Sequence, residues 1–365
     1  MIYKEYGKTG KMVSTIGFGG MRFRKEDYEK SLYEAAKVAV RANELGVNYF
    51  DTAPFYCDDK SEEVMGEAFK YMKNSFYVST KSGISSEKDA DSVRKRIDGS
   101  LKRLGIEKIN FFHMWCILNL EQYRQVMAPG GPYEGALRAK EEGLIEHIVF
   151  STHCNGDEIE TIVKEGYFEG VTLGYNATNF AFRQKGIKAA YEKGLGVVTM
   201  NPLGGGIIPQ NPNFYSFIKE NEEDTLAQAA LKFNVSHKEI TIALAGMGSI
   251  EEVEENVKAG ENIGEMTEEK LTRFSAKISS SLDTLCTGCQ YCLGCPKNIE
   301  IPKFMDSYNM YLLSKKDERI SSRLKGHWGI DIKDAAECIS CGVCEKKCTQ
   351  HLPIIERLKY VANLK

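Results

Sequence analysis

Hydrophobic positions along residues 1–280 alternate between the spacing of a helix and the spacing of a strand. Apolar side chains in Ser31–Leu45 recur at helical intervals, Gly46 follows, and VNYFDTA then has the composition of a strand. The same order of helix, glycine and short apolar run repeats along this stretch. The strand candidates are STIGFGG, VNYFDTA, FYVSTK, INFFHMW, EHIVFST, GVTLGYN, GVVTM and EITIALAG. Alternating strands and helices predict a parallel sheet.

The number of these units favours a closed sheet. Eight strands in about 270 residues fit an α/β fold of the (β/α)8 TIM-barrel type better than an open, doubly wound sheet. No strand candidate is followed by the G-x-G-x-x-G turn of a doubly wound dinucleotide-binding fold. Met1–Ser14, with its GKTGK turn, is predicted to form a hairpin that caps the bottom of the barrel.

Composition narrows the class of protein. Hydrophobic residues make up 42% of the 365 residues and the net charge is −3, so we expect no nucleic-acid partner and no membrane association. The N-terminus is charged and lacks a signal-peptide pattern, and no apolar run is long enough to span a bilayer. We therefore expect a cytoplasmic protein whose cysteines are reduced thiols or metal ligands.

The cysteines are unevenly distributed and mark a second domain. Three of the eleven, Cys57, Cys116 and Cys154, precede residue 280, and the other eight lie between Cys286 and Cys348. We predict a barrel over residues 1–281 and a mainly helical, ferredoxin-like domain over 282–365. The segment FMDSYNMYLLSKK between the two cysteine runs has a helical pattern.

The two cysteine runs have the spacing of iron–sulfur ligands. CTGCQYCLGCP and CISCGVCEKKC each place four thiols within eleven residues, and the second has the C-x2-C-x2-C-x3-C spacing of bacterial ferredoxins. Zinc sites usually pair one C-x2-C with a distant second pair, so two 4Fe-4S clusters are favoured over zinc. In two-cluster ferredoxins the fourth cysteine of each run serves the other cluster. The predicted sets are Cys286, Cys289, Cys292 and Cys348, and Cys338, Cys341, Cys344 and Cys295.

Four polar residues lie at or near the ends of successive predicted strands, where TIM barrels carry their chemistry. They are Asp51, Tyr56, Lys81 and His113. Taken singly, each has an ordinary structural interpretation, such as a turn cap or a buried histidine. Together they could form a proton donor: a lysine would lower the pKa of Tyr56, an aspartate would keep that lysine charged, and a histidine would bind a substrate oxygen.

At these residues the chain resembles the aldo-keto reductase family. The matching stretches include DTAPFYCDDKSEEVMGEAFK, STKSG, SLKRLGIEKINFFHMW, NPLGGG and LAGMGSIEEVEEN, in order over about Tyr3 to Asn256. The resemblance implies hydride transfer between a nicotinamide cofactor and a small carbonyl compound or alcohol. It also implies that Tyr56 is the general acid and that His113 orients the carbonyl. One branch of the family carries a two-cluster tail with the phrase seen here as CPKNIEIP.

The resemblance also implies positions that contact a dinucleotide. They are Gly20, Met21, Ser151, Thr152, Thr172, Met200, Leu203, Gly204, Ser249, Glu252 and Asn256. Two departures matter. Met200 stands where the family has an aromatic that stacks on the nicotinamide, and Glu252 stands where a basic residue binds the 2′-phosphate of NADP. A carboxylate there repels that phosphate, so NADH is expected to be preferred over NADPH if a dinucleotide binds.

The three isolated cysteines, Cys57, Cys116 and Cys154, all follow strand ends. The ordinary interpretation is that each is a small buried hydrophobe. The alternative is a third metal or cluster site, or a reactive thiol facing the substrate.

Three functions remain open. In the first, a nicotinamide-linked oxidoreductase exchanges electrons through its clusters with ferredoxin or another redox protein. In the second, the clusters feed single electrons to a substrate in the barrel without nicotinamide. In the third, the clusters are structural or oxygen-sensing and the tail docks a partner. Because exposed clusters degrade in air, an anaerobic cytoplasm is expected.

Overall fold

The computed structural model describes residues 1–281, 285–286, 292–348 and 351–364, with the side chains of 278–281 excepted. The predicted domain boundary at 281–282 falls at the edge of one gap. Cys289 lies outside the described residues.

The strands form a hairpin and a barrel. They are β1 Tyr3–Glu5, β2 Met12–Ser14, β3 Ile16–Gly19, β4 Tyr49–Asp51, β5 Tyr77–Gly83, β6 Ile109–Ile117, β7 Ile145–Thr152, β8 Gly170–Gly174, β9 Gly196–Met200 and β10 Ile242–Gly246. β1 and β2 pair antiparallel, and β3 to β10 close a parallel barrel in which β10 pairs with β3. The predicted hairpin and the eight predicted barrel strands are confirmed.

Helices alternate with the barrel strands and continue into the tail. They are α1 Lys25–Lys30, α2 Leu32–Glu44, α3 Ser61–Phe69, α4 Ala90–Leu104, α5 Leu120–Met127, α6 Pro132–Glu141, α7 Gly156–Glu165, α8 Gln184–Lys193, α9 Ile207–Gln210, α10 Pro212–Tyr215, α11 Leu226–Val235, α12 Ile250–Asn256, α13 Glu268–Ser281, α14 Ile301–Ser314, α15 Glu318–Arg323, α16 Val343–Lys347 and α17 Ile354–Ala362. Short 3-10 turns lie at Gly20–Arg22, Phe180–Phe182, Gly204–Gly206, Ser216–Ile218, Val257–Gly260 and Ile332–Glu337, and a π turn at Leu324–Trp328.

Local sequence explains why these helices start and stop where they do. Asp89 caps α4 by accepting the backbone N–H of Ser92, and Gly105 ends the helix in the left-handed conformation that glycine adopts without strain. Ser31 likewise caps α2. These caps fix the lengths of the helices and therefore the points at which the next strands enter the barrel.

Inside the barrel the side chains change from apolar to polar along the strands. Tyr49 and Phe111 belong to the apolar floor, and Tyr6 from the hairpin packs onto Phe111 with ring centroids 4.2 Å apart. A β-carbon at Gly196 would lie 2.2 Å from the Tyr6 ring, so only glycine fits there. Because side chains alternate with period two, the inward residue after Tyr49 is Asp51. The polar residues near the ends of the strands therefore form a layer directly above the apolar core of the barrel interior.

The described part of the tail is helical and has its own apolar core. Phe304, Met305, Leu324 and Trp328 pack there with several of the cysteines. Asn309 of α14 accepts from the backbone N–H of Cys286 and donates to its carbonyl, both at 2.8 Å. Helix α14 therefore fixes the first cysteine of the first run. None of the described helices has the length and apolar character needed to cross a membrane.

Candidate active site

A cavity of about 1170 Å³ lies at the carboxyl ends of the barrel strands. The barrel contributes Asp51, Tyr56, Lys81, Trp115 and Met200 to its lining. The tail contributes Met310, Arg319, Ser322, Arg323, Gly326 and His327. The cavity is therefore shared between the two parts of the chain.

Asp51 and Lys81 form a buried ion pair at the base of the cavity. Lys81 Nζ lies 2.6 Å from both carboxylate oxygens of Asp51 and donates to the Thr52 carbonyl at 2.8 Å. Burial lowers the pKa of Lys81, and the Asp51 carboxylate opposes that shift. A buried charge of this kind is tolerated only because its partner and a carbonyl replace the lost water.

Ser79 extends this pair to His113. Its hydroxyl donates to Asp51 Oδ1 at 2.8 Å and lies 2.8 Å from His113 Nε2. Since the single Ser79 proton goes to the carboxylate, His113 must donate Nε2–H to Ser79. Burial lowers the pKa of His113 well below its usual value, and the charge of Lys81 adds to this. His113 is therefore a neutral ring that supports the pair through Ser79.

His113 lies deeper than the cavity lining, and the expectation that it orients a carbonyl stays a prediction. Its side chain is fully buried and it is absent from the cavity lining, whereas Trp115, two residues further along β6, is part of that lining. Residues 113 and 115 lie on the same inward face of β6. His113 is two residues closer to the apolar floor of the barrel and therefore lies deeper than Trp115.

Tyr56 lies beside Trp115 and above Lys81. Its ring makes an edge-to-face contact with Trp115 at 5.8 Å between centroids, and Lys81 Nζ lies 5.4 Å from its centre. Burial raises the pKa of Tyr56 well above its usual value, and the Asp51 carboxylate adds to the shift. The expectation that the pKa of Tyr56 would be lowered is therefore not met, because burial dominates the shift. The phenol is held in its protonated form.

Residues expected to contact a dinucleotide divide into two groups. Met21, Thr172, Met200, Leu203, Gly204 and Glu252 line the cavity. Gly20, Ser151, Thr152, Ser249 and Asn256 are absent from the lining. Yet three buried polar atoms, Ser151 Oγ, Thr172 Oγ1 and Asn256 Oδ1, have no hydrogen-bond partner. Buried polar groups are nearly always paired, and of these three residues Thr172 alone lines the cavity, so its hydroxyl is placed to meet a ligand there.

The remaining dinucleotide positions are engaged in the fold. The Thr152 hydroxyl donates to the Ile117 carbonyl at 2.8 Å and accepts from the backbone of Cys154 at 2.9 Å. Ser249 caps α12 by accepting from the Glu252 backbone, and Glu252 Oε2 accepts from Gly248 N at 2.7 Å. The Gly20 carbonyl accepts from Ser61 Oγ at 2.7 Å. Thr152 is thus not presented to the cavity, whereas Glu252 is.

The predicted cluster cysteines gather in the tail. Cys286, Cys292, Cys295, Cys338, Cys344 and Cys348 belong to its core or pack against it. Burial lowers the pKa of Arg357, and the nearby thiols of Cys286 and Cys348 are among the groups that oppose the shift. Cys338 similarly acts on Cys344. The assignment of the cysteines to two ligand sets stays a prediction from the sequence.

The thiols fit iron–sulfur ligands in kind. The cysteines within the described ranges form no disulfide, and Cys341 is exposed. Lys347 Nζ donates to the Leu293 carbonyl at 3.4 Å, which joins the end of one run to the other. In the described part of the chain, no three cysteine, histidine or carboxylate side chains converge into a preformed metal site.

The three isolated cysteines do not converge into a metal site within the described part of the chain. Cys57 Sγ donates to the Gly20 carbonyl at 3.4 Å and packs in a different cluster from Cys154. Cys116 lines the cavity and Cys154 is buried near it; burial raises the pKa of each thiol to about 12. These are protonated, weakly reactive thiols. Of the three, only Cys116 lines the cavity.

Sequence reasoning missed Arg183, which joins the barrel to the tail. Its fully buried guanidinium donates to the carbonyls of His153, Cys154 and Gly174 at 2.9–3.0 Å. It also contacts His327 Nε2 at 3.2 Å and lies 4.7 Å from the centre of the Trp328 ring. Burial lowers its pKa to about 10. The sequence feature that could have indicated this junction is RLKGHWG. It is a basic and aromatic segment between the cysteine runs, and binding of the clusters does not require it.

Comparison with known proteins gives two adjoining matches. Residues 15–279 match the aldo/keto reductase family and residues 285–353 match a 4Fe-4S dicluster domain. The chain is 28% identical over 299 residues to L-galactose dehydrogenase of Arabidopsis thaliana, covering 74% of this chain and 92% of that protein. It is 25% identical over 297 residues to pyridoxine 4-dehydrogenase of Escherichia coli, covering 75% and 95%.

Solved structures show the same fold. Aldo-keto reductase AKR11C1 from Bacillus halodurans superposes with a TM-score of 0.63 at 21% identity, over 76% of this chain and 96% of that one. An aldo-keto reductase from Klebsiella pneumoniae in complex with NADPH gives 0.60 at 17% identity, over 76% and 95%. The chain therefore belongs to the aldo/keto reductase family and is an oxidoreductase whose barrel is followed by a 4Fe-4S dicluster domain.

Proposed function

We propose that the chain interconverts a small carbonyl compound and its alcohol at the barrel mouth, with Tyr56 as the proton donor in reduction. The observation that carries this is the stack of Tyr56 above the Asp51–Lys81 pair at the base of the cavity, with the phenol kept protonated by burial. Reduction adds a hydride to the carbonyl carbon and a proton to its oxygen. Tyr56 gives that proton as negative charge develops on the oxygen, when the nearby Lys81 ammonium stabilises the phenolate.

The Asp51–Lys81 pair and His113 act on Tyr56. Asp51 keeps Lys81 charged despite burial, and Ser79 and His113 fix the carboxylate by hydrogen bonds. We assign His113 as a positioning residue. Trp115 holds the Tyr56 ring by its edge-to-face contact.

A bound nicotinamide would supply or accept the hydride, and the two clusters would carry single electrons. The unpartnered hydroxyl of Thr172 lines the cavity and would contact the dinucleotide, and the turn at Leu203 and Gly204 would approach its pyrophosphate. Arg22 and Arg24, which also line the cavity, are available to the pyrophosphate that NADH and NADPH share. NADPH differs from NADH by its 2′-phosphate, and the Glu252 carboxylate would repel that phosphate. NADH is therefore proposed as the preferred cofactor.

The tail, taken as residues 282–365, would exchange electrons with ferredoxin or another redox protein through clusters on the two predicted cysteine sets. A second candidate is direct delivery of single electrons to a substrate in the barrel without nicotinamide. That candidate is favoured by His327, which lines the cavity, while its neighbour Trp328 packs in the core that holds the cysteines.

One anaerobic experiment separates these functions. NADH is added to protein with intact clusters, and nicotinamide absorbance and cluster absorbance are followed together. Oxidation of NADH with bleaching of the clusters supports the first function. No response to NADH, with turnover driven by reduced ferredoxin, supports the second and contradicts the first. Turnover that is indifferent to loss of the clusters contradicts both and favours a structural or sensing tail.

A further inference from the structure

The cavity is far more positive than the protein as a whole. Six cationic side chains line it against two carboxylates, whereas the chain has a net charge of −3. The cations are Arg22, Arg24, Lys81, Lys88, Arg319 and Arg323. A cleft lined by one sign of charge concentrates ligands of the opposite sign.

Two of these cations are neutralised within the protein. Lys81 pairs with Asp51 at 2.6 Å, and Arg323 pairs with the buried Asp306 at 2.8 Å. The other four make no ion pair with any described residue. The second lining carboxylate, Glu252, is partly used by the backbone of Gly248.

The four unpaired cations lie on two sets of elements. Arg22 and Arg24 pack against the end of β10: a β-carbon at Gly246 would lie 2.5 Å from Arg22, and one at Gly248 would lie 3.4 Å from Arg24. This pair is where a dinucleotide's own phosphates are proposed to bind. Lys88 follows β5, and Arg319 belongs to α15 of the tail.

Neither Lys88 nor Arg319 forms an ion pair with a carboxylate of a described residue. Glu87, the carboxylate next to Lys88, is buried; it pairs with Arg96 at 2.6 Å and accepts from Gly83 N at 2.8 Å. Asp317, near Arg319 in sequence, accepts from the Tyr360 hydroxyl at 2.6 Å. Both cations therefore remain available to a ligand after a dinucleotide has bound at Arg22 and Arg24.

We propose that the substrate is an anionic carbonyl compound whose charged group is bound by Lys88 of the barrel and Arg319 of the tail. This rests on the proposed carbonyl chemistry of the same cavity and names its substrate class. The tail thereby has a second role, because it supplies one side of the substrate site as well as the cluster ligands. The charged group is a carboxylate or a phosphate ester.

Matched pairs of aldehydes test the proposal. Para-carboxybenzaldehyde is compared with its uncharged methyl ester, and glyceraldehyde phosphate with glyceraldehyde, using the cluster-loaded full chain. The charged member should have the lower KM in at least one pair, and that pair identifies the anion. Arg319→Gln and Lys88→Gln should each raise the KM for the charged member about tenfold, with little change in kcat or in the KM of the neutral member. Lys333→Gln, an exposed tail lysine outside the cavity, should change neither.

Equilibrium binding of the same probes, measured by calorimetry, separates this proposal from the proposed function. Tighter binding of a charged member that both variants weaken supports the anion site even if no aldehyde is reduced, an outcome that would contradict the carbonyl chemistry alone. Equal binding of charged and neutral members, or binding unaffected by Arg319→Gln and Lys88→Gln, overturns the anion site even if the aldehydes are reduced.

Discussion

The imidazole rings of His153 and His327 lie 3.8 Å apart between centroids, one from the end of a barrel strand and the other from the tail. Both rings are buried, and their pKa values are lowered well below the usual value, first by burial and then by neighbouring arginines. Two neutral rings can pack this closely where two imidazolium ions could not. Arg183 holds the arrangement by bonding the His153 carbonyl and His327 Nε2 with one guanidinium nitrogen.

Replacing Arg183 should loosen this junction. Arg183→Met leaves the carbonyls of His153, Cys154 and Gly174 without a donor, at about 1–3 kcal/mol for each buried group that water cannot reach. We expect a lower free energy of unfolding and faster amide hydrogen exchange around His327. Lys188→Gln, an exposed change on α8, the helix that directly follows Arg183, is the control. Unchanged exchange in the tail would show that Arg183 does not join the two parts.

Tyr56→Phe should abolish most turnover while preserving ligand binding. The loss of a positioned proton donor typically lowers kcat by about 10²–10⁴-fold, and phenylalanine keeps the contact with Trp115. Steady-state kinetics and dinucleotide titration measure the two effects, with the exposed Tyr33→Phe as the control. A variant with more than about a third of the parent's kcat would contradict the role of Tyr56.

The Asp51–Lys81 pair should behave as one unit in unfolding experiments. Asp51→Asn or Lys81→Met alone leaves a buried charge unpaired, which costs about 3–5 kcal/mol. The double variant removes both charges and should be less destabilised than the sum of the two single variants. Chemical denaturation of the three proteins measures this coupling. Strict additivity would mean that the pair is solvated in solution.

The cofactor preference should move with Glu252. Glu252→Gln removes the charge that opposes a 2′-phosphate, so the ratio of NADPH to NADH dissociation constants should fall several-fold. Glu251→Gln, in the same helical turn but outside the cavity lining, should leave the ratio unchanged. Tighter binding of NADPH than of NADH by the parent protein would overturn the proposed preference.

His237 should make the protein acid-sensitive. Its pKa is lowered to about 4 by burial, with Lys4 adding to the effect. Between about pH 4 and 6.5 the unfolded chain therefore binds a proton at His237 that the folded chain does not bind. The contribution of His237 to the free energy of unfolding is complete above about pH 6.5 and is lost as pH falls toward 4. Between pH 6 and 5 the parent should lose up to about 1.4 kcal/mol more than His237→Asn. His351→Asn, at an exposed site, should match the parent's slope.

The barrel could be predicted from sequence because its signals are local. Short apolar strands, capped helices and the glycine that ends α4 each specify their element within a few residues. The cysteine spacing is equally local, and the same is true of Asp51 and Lys81, which fall at strand ends.

What the sequence did not indicate depends on depth and on contacts between distant segments. His113 and Trp115 share one strand face, and only the closed barrel shows which of them reaches the cavity. The sign of the Tyr56 pKa shift depends first on how deeply the closed barrel buries the phenol. Arg183 and His327 are 144 residues apart along the chain, and no periodicity links them.

The tail residues that line the cavity also have a consequence for how the protein acquires its clusters. If the proposed function holds, a chain that has not received its clusters lacks more than electron carriers, because the segment holding Arg319 and His327 is built on the same core as the cysteines. Cluster insertion and completion of the substrate pocket are then linked equilibria, and linkage acts in both directions. Bound substrate would accordingly slow the loss of iron from the tail. Damage to the clusters by oxygen would first be measured as weaker substrate binding.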